Sequence, residues 1–232
     1  AALEAKGPQG SGAKLTIAKA AVLGAGTMGA GIAAHMANAG IPTLLLDIAP
    51  QESDAADKNA IVRSLFEASK KLKPAPFMLA DNAKLITVGN FTDDIAMLKD
   101  CDFVIEAVVE NLEIKHKLFA EVEKHRKPGA VIASNTSGIP IDAIAEPFSD
   151  DFKQHFVGIH FFNPPRYMKL VEVIPGTATS GEIACKVSGF LDQRLGKGVV
   201  PAKDRPNFIA NRVGTFGMMA TVHEMLEMGF RP

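Results

Sequence analysis

Cysteine is scarce in these 232 residues. Cys101 and Cys185 are far apart in the chain and match no metal-binding or redox spacing. A disulfide framework or zinc cluster is therefore not expected. Two free thiols fit a reducing compartment, and the cytoplasm is the expected location. Neither charge predominates: 25 basic side chains face 26 acidic ones, which argues against a nucleic-acid or membrane-surface role resting on net charge. The opening "AALEAKGPQGSGAK" has no apolar signal-peptide core, and residues 1–14 are expected to form a flexible tail outside the fold. Between Ala20 and Leu46 there is no Asp, Glu, Lys or Arg, yet five glycines, Pro42, Asn38 and His35 rule out one continuous membrane-spanning helix. Strand, helix, strand is the better reading of that span. No Gly-Lys-Ser/Thr is present for a Walker loop, and no H-R-D or D-F-G for a kinase. The "HEMLE" at His223 lacks the second histidine of a zinc helix, so no metal is expected.

What is present is a core-forming chain, 47% apolar, long enough for one large domain or two small ones. Short apolar runs alternate with helical patterns. Strands are expected at 20–23, 43–46, 85–88, 103–109, 131–133, 157–162 and 170–174. A helix is expected over Asn111–Lys127, capped by Asn111 and stopped by Pro128-Gly129, with Ile114, Leu118, Phe119 and Val122 on its buried face. "NAIVRSLFEASKKLKPAPF" reads as a helix ending at Pro74 with Arg63, Lys70 and Lys71 on its polar side. That side is either a solvated face or a docking edge for a phosphate-bearing ligand. Runs apolar on both faces, joined by crossover helices, imply a parallel sheet covered on each side.

The first crossover carries chemistry. In "VLGAGTMGAG", Gly24, Gly26 and Gly29 have the G-x-G-x-x-G spacing, with Thr27 and Met28 between the last two. The pattern alone is weak, but a strand precedes it and a helix opens within it. Gly24 permits the tight turn, Gly26 the approach of a pyrophosphate, and Gly29 close helix–strand packing, while the helix N-terminus offers amides and a positive dipole end. Asp47 closes the second strand, eighteen residues after Gly29, where a carboxylate accepts ribose hydroxyls and repels a 2′-phosphate. Ile48-Ala49-Pro50 offer no cation for that phosphate, so NAD is expected rather than NADP. A purely structural glycine turn is the competing reading.

A second constellation lies in "GIHFFNPPRYMKLVEV", residues 158–173. If the two apolar runs form a hairpin centred on Arg166, His160 and Glu172 stand directly opposite and share a face. The carboxylate would then fix the imidazole tautomer and stabilise the imidazolium, which suits a general base acting on an alcohol. A lone buried histidine is more often a satisfied core residue; the opposed carboxylate and the nearby dinucleotide turn reverse that preference. His35, His116, His125 and His155 have no such partner pattern. "AVIASNTSGIP" runs from a strand into Ser137, which either bonds a substrate oxygen or caps the following helix. Asn211, in "KDRPNFIANRVG", either does likewise or packs on a helix surface.

Together, "GAGTMGAGIA", "EAVVENLEIKHKLF", "SNTS", "HFFNPPRYMKLVEV" and "NFIANR", in this order, resemble the L-3-hydroxyacyl-CoA dehydrogenase family of fatty-acid β-oxidation. The likeness runs from Ile17 to the last residue and is closest to the dehydrogenase part of bacterial multifunctional polypeptides. It implies a Rossmann-type, doubly wound α/β fold over residues 15–206: a mostly parallel sheet with a C-terminal antiparallel hairpin. Residues 207–232 would be the first helix of a truncated helical domain that dimerises and closes over substrate. It implies His160 as base, Glu172 as orienting acid, and Ser137 and Asn211 holding the substrate's 3-oxygen, with Asn163 lining the pocket. Glu110 and Lys115 would touch NAD, and Ser64 and Lys71 the CoA. The expected substrate is a 3-hydroxyacyl-CoA, with no nucleic acid and no membrane span, in a homodimer when the helical domain is complete. Gly138 stands where many relatives have serine, and Asn207 where glycine is frequent; little consequence is expected of either. Two other readings stay open: a dehydrogenase of a free hydroxy acid in the same family, and a non-catalytic NAD-binding or assembly module. For the chain ending at Pro232, NAD binding with weak turnover is expected.

Overall fold

A computed structural model describes residues 15–51 and 57–230; the tail expected over 1–14 lies outside them. Among the described residues eight strands form one sheet, in the order β3-β2-β1-β4-β5-β6-β7-β8. They are β1 (Ala20–Leu23), β2 (Thr43–Asp47), β3 (Ile86–Asn90), β4 (Phe103–Glu106), β5 (Val131–Ser134), β6 (Phe156–Phe161), β7 (Leu170–Pro175) and β8 (Gly198–Pro201). Pairing is parallel from β3 through to β6, antiparallel between β6 and β7, and parallel again between β7 and β8. This is the expected doubly wound sheet with its hairpin.

Both faces are covered, which explains the continuous apolar runs. Ala20, Val22, Phe103 and Ile105 face a core shared with α1 (Thr27–Asn38), α2 (Ala60–Ser69) and α6 (Gly181–Gln193), through Ile32, Met36, Val62, Phe66 and Phe190. Their neighbours Ala21, Leu23 and Val104 face the opposite core, built on α3 (Leu112–His125), α4 (Ile141–Ala145) and α5 (Asp150–His155). A final helix, α7 (Ala210–Glu227), buries none of its residues.

Several boundaries differ from expectation for physical reasons. β4 stops at Glu106 rather than Val109, because the Glu106 carboxylate accepts the Val108 N–H at 2.7 Å and turns the chain. α2 ends at Ser69, five residues short of Pro74. On α3 the Asn111 side chain caps as expected, accepting the Ile114 N–H at 3.0 Å. The buried face is different: Ile114 is 43% exposed, whereas Lys115 joins Leu118, Phe119 and Val122 inside. β8 and α6 have no counterpart among the expected elements.

Candidate functional site

The carboxyl ends of β1, β4 and β5 are level, since Leu23, Glu106 and Ser134 are register neighbours, and β6 passes Ser134 at Gly158 and runs on to Phe161 on the same side of the sheet. The strand order reverses between β1 and β4, and ligands of open α/β sheets bind beyond such a reversal. At β1 the chain turns through Gly24, with φ of +104° and its N–H on Leu46 O at 2.7 Å. A Cβ at Gly29 would sit 1.7 Å from Gly24 O, so only glycine lets α1 start this close to the strand. A Cβ at Gly26 would meet nothing within 4 Å among the described residues; that space is open to a ligand. No side chain caps α1, leaving its first-turn amides for an anion. Thr27 is exposed there and Met28 partly buried.

Asp47, at the end of β2, leans toward the turn. Its Oδ2 accepts the Ala25 N–H at 2.6 Å and its Oδ1 the Ile48 N–H at 2.7 Å. The carboxylate therefore braces the glycine turn and keeps lone pairs for hydroxyl donors. Open space at Gly26, uncapped amides and an anchored acid together fit the diphosphate and ribose of NAD.

β6 and β7 pair in the register that sets His160 opposite Glu172. Nδ1 of His160 lies 2.7 Å from Glu172 Oε2, with side chains only 7% and 1% exposed. The other carboxylate oxygen accepts the N–H groups of Ile209 (3.0 Å) and Ala210 (2.8 Å), so Glu172 also docks the start of α7. Rings of Phe162 and Phe208 lie 4.5 and 5.8 Å from the imidazole. Phe208 and Asn207 both occupy the left-handed region, at φ of +48° and +63°. Strain at the join to α7 thus sits directly against the histidine.

Glu110 gathers the turn after β5. Its Oε1 accepts from the Thr136 hydroxyl at 2.5 Å and the amides of Ser137 and Gly138 at 2.9 and 3.1 Å. Burial would raise its pKa; the Thr136 hydrogen bond and the Lys115 charge outweigh that and hold it below the usual range. Lys115 is 1% exposed, its ammonium 2.7 Å from Glu106 and 3.3 Å from Glu110. Glu106, fully buried, also takes the Ser134 hydroxyl at 2.6 Å. Sequence reading missed this acid because it was placed inside a longer strand. Its signal is a carboxylate closing an apolar run.

Ser137 is exposed and caps no helix: Asp204 accepts the first amides of α4, at Ile141 (2.9 Å) and Asp142 (3.0 Å). Asn211, in the first turn of α7, reaches Ser137 O at 3.5 Å. The structure thus brings Ser137, His160, Glu172 and Asn211 together. Asn163 is exposed in the loop after β6, and Asn135, another residue not anticipated, fixes the end of β6 by accepting the Phe161 N–H at 2.9 Å. Ser64 and Lys71 are exposed on and just after α2, with no bond to the other candidates. Among the described residues no cluster of His, Cys, Asp or Glu could hold a metal, and no helix is long and apolar enough to cross a membrane.

Residues 19–205 match the family described as 3-hydroxyacyl-CoA dehydrogenase, NAD binding domain. A probable 3-hydroxyacyl-CoA dehydrogenase of Bacillus subtilis is 53% identical over 227 residues, covering 93% of this chain and 29% of that protein. One from Deinococcus radiodurans is 50% identical over 218 residues, covering 94% and 62%. The chain thus spans less than two thirds of either relative. The solved (S)-3-hydroxybutyryl-CoA dehydrogenase PaaH1 of Ralstonia eutropha superposes with a TM-score of 0.72 at 34% identity, over 92% of this chain and 73% of that one.

Proposed function

The chain belongs to the 3-hydroxyacyl-CoA dehydrogenase family through its NAD-binding domain, and from that premise we propose that the protein oxidises an (S)-3-hydroxyacyl-CoA to the 3-ketoacyl-CoA. The observation that supports this most is the 2.7 Å contact between His160 and Glu172, at the same sheet edge as the glycine turn. With Nδ1 held by the carboxylate, Nε2 is the nitrogen left to take the proton of the 3-hydroxyl. Glu172 offsets the positive charge that the imidazole then acquires. Bound NAD supplies the acceptor for the hydride leaving C3. Ser137 and Asn211 hold the 3-oxygen and Asn163 lines the pocket, while Ser64 and Lys71 receive the CoA end. Gly24, Gly26, Thr27, Met28 and Gly29 hold the diphosphate and Asp47 the ribose. Glu110 and Lys115 serve the cofactor side as a pair, Lys115 acting through the carboxylate it grips. In this reading residues 15–206 are the dinucleotide-binding domain and 207–232 open a helical domain through which the protein forms a homodimer.

The test is NADH oxidation by acetoacetyl-CoA, run on this chain and on a protein extended beyond residue 232. Turnover is expected with the thioester in the extended protein, and NADH binding with weak turnover in the 232-residue chain. Equal rates with free acetoacetate would favour a hydroxy-acid dehydrogenase. NADH binding without any thioester turnover in the extended protein would favour a non-catalytic module.

A further inference from the structure

We propose that Lys197 is a positioning residue for the dehydrogenase reaction, its ammonium clamping the loop that joins the strand of His160 to the strand of Glu172. The inference rests on the function proposed above. Lys197 follows Gly196, whose φ of +64° makes the tight turn between α6 and β8. It is 3% exposed, and its Nζ donates to Pro165 O and, at 2.9 Å, to Met168 O. The next residue continues the clamp, Gly198 N–H meeting Lys169 O at 2.8 Å.

No carboxylate among the described residues forms an ion pair with this ammonium. The titratable group that feels its charge is His35 of α1, which Arg166 of the loop also influences; Asp192 and Arg194, at the end of α6, are exposed. Burial lowers its pKa to about 8, so it stays cationic at neutral pH at a cost in desolvation. Methionine would fill the same space without that cost. What lysine adds is a pair of charge-assisted donors at fixed points of the loop.

The loop is gripped from two further sides. Pro165 packs on Gly31 of α1 so closely that a Cβ there would lie 2.9 Å from Pro165 Cδ. Arg166 Nη1 donates to Ala75 O and Phe77 O, beyond α2, at 2.7 and 2.9 Å. Since α1 begins in the glycine turn and the loop begins two residues after His160, this three-sided clamp fixes the hairpin mouth against the dinucleotide-binding helix.

The experiment compares variants of the extended protein in acetoacetyl-CoA reduction, with amide exchange measured separately. Lys197→Met is expected to lower kcat about 10- to 100-fold, the size of loss that a misplaced reacting group produces, with NADH affinity unchanged. Exchange at Tyr167 and Met168, whose amides both donate to Pro164 O at 3.0 Å, should quicken while β1 to β5 stay protected. Lys197→Arg should recover most of both. Gly31→Ala pushes the same loop from the helix side and, with a better helix former, should stay folded if Lys197→Met does not. Wild-type kcat in Lys197→Met, or a lowered Tm with normal kcat and normal loop exchange, would overturn the proposal; should Lys197→Met not fold, wild-type kcat in Gly31→Ala does so. Quickened loop exchange in a protein whose wild type never turns over thioester would instead sink the functional reading and leave the clamp standing.

Discussion

His160 and His35 are both buried, and their partners set them apart. His160 faces a carboxylate at 2.7 Å; among the described residues His35 meets only the Leu195 carbonyl, at 3.1 Å through Nε2, and its Nδ1 has no partner. Replacing His160 with Gln keeps a polar side chain beside Glu172 but removes the basic nitrogen. It should lower kcat by ~10²–10⁴, with NAD affinity unchanged by titration; a variant keeping most of its rate would refute the assigned base. Burial, and then the charge of Lys197, push His35 down from 6.5 to about 4. Its folded pKa therefore lies below its unfolded one, so the unfolded chain binds the extra proton between those values. Stability from the neutral ring is fully present above pH 6.5 and is lost as pH falls toward 4, by up to about 3 kcal/mol. Urea unfolding at pH 7.5 and pH 4.5 should show this loss, and His35→Gln should shrink the difference. The His160 partner was legible because counting outward from Arg166 gives strand register. The burial of Lys115, Glu106 and Lys197 was not, because charge in a sequence reads as surface until contacts show what it is paired with.

Elements carry the next pair of expectations. In the β1–α1 turn the two glycines fail differently. Gly29→Ala drives its Cβ into Gly24 O, 1.7 Å away, and should destabilise the fold and abolish NAD binding together. Gly26→Ala meets no atom of the described residues within 4 Å; it should change stability by no more than about 0.5 kcal/mol yet weaken NAD binding sharply. Thermal melts paired with NAD titration separate the two, and equal loss of Tm in both would show that the open space is not a ligand site. At the hairpin, Glu172 binds a histidine on one oxygen and the first amides of α7 on the other. Glu172→Ala should therefore speed amide exchange at Ile209 and Ala210 as well as reduce turnover. α3 shows how patterning misleads: Ile114 and Lys115 are adjacent, and the apolar one is the exposed one, because a buried carboxylate recruits the lysine inward.

At the scale of the molecule, one sheet edge gathers most of the residues proposed to bind NAD or to react, with Ser64 and Lys71 apart on and just after α2. The glycine turn, Glu110 and Ser137 follow the carboxyl ends of β1, β4 and β5, while Asp47 ends β2 and His160 lies one residue before the end of β6. Ligand binding there should stabilise the domain as a whole: NAD at about 100 times its Kd adds about 2.7 kcal/mol, or roughly 5–10 °C in Tm for a domain of this size. If Asp47 holds the ribose as proposed, NADP at the same concentration should shift Tm far less, because the carboxylate would repel a 2′-phosphate and Ile48 to Pro50 supply no cation. Equal shifts would refute the NAD assignment. α7 presents Val213, Phe216, Met218 and Met219 to solvent, each more than half exposed, and is moored through its first turn.

The sheet class, most of its strands, the tight glycine turn after β1 and the pairing of His160 with Glu172 were legible in the sequence. All of these follow from short-range periodicity, backbone sterics and strand register, which depend on residues near one another in the chain. Only the tertiary structure decided where buried charges go: Glu106 and Lys115 beneath the turn of Ser137, Asp204 on α4, and Lys197 under the hairpin loop. It also decided the short β8 edge, whose four residues carry too little pattern to be read as a strand. Those placements join parts of the chain up to 63 residues apart. Their cause is the cost of leaving a buried polar group without a partner, and that cost has no meaning until the fold has chosen what is buried.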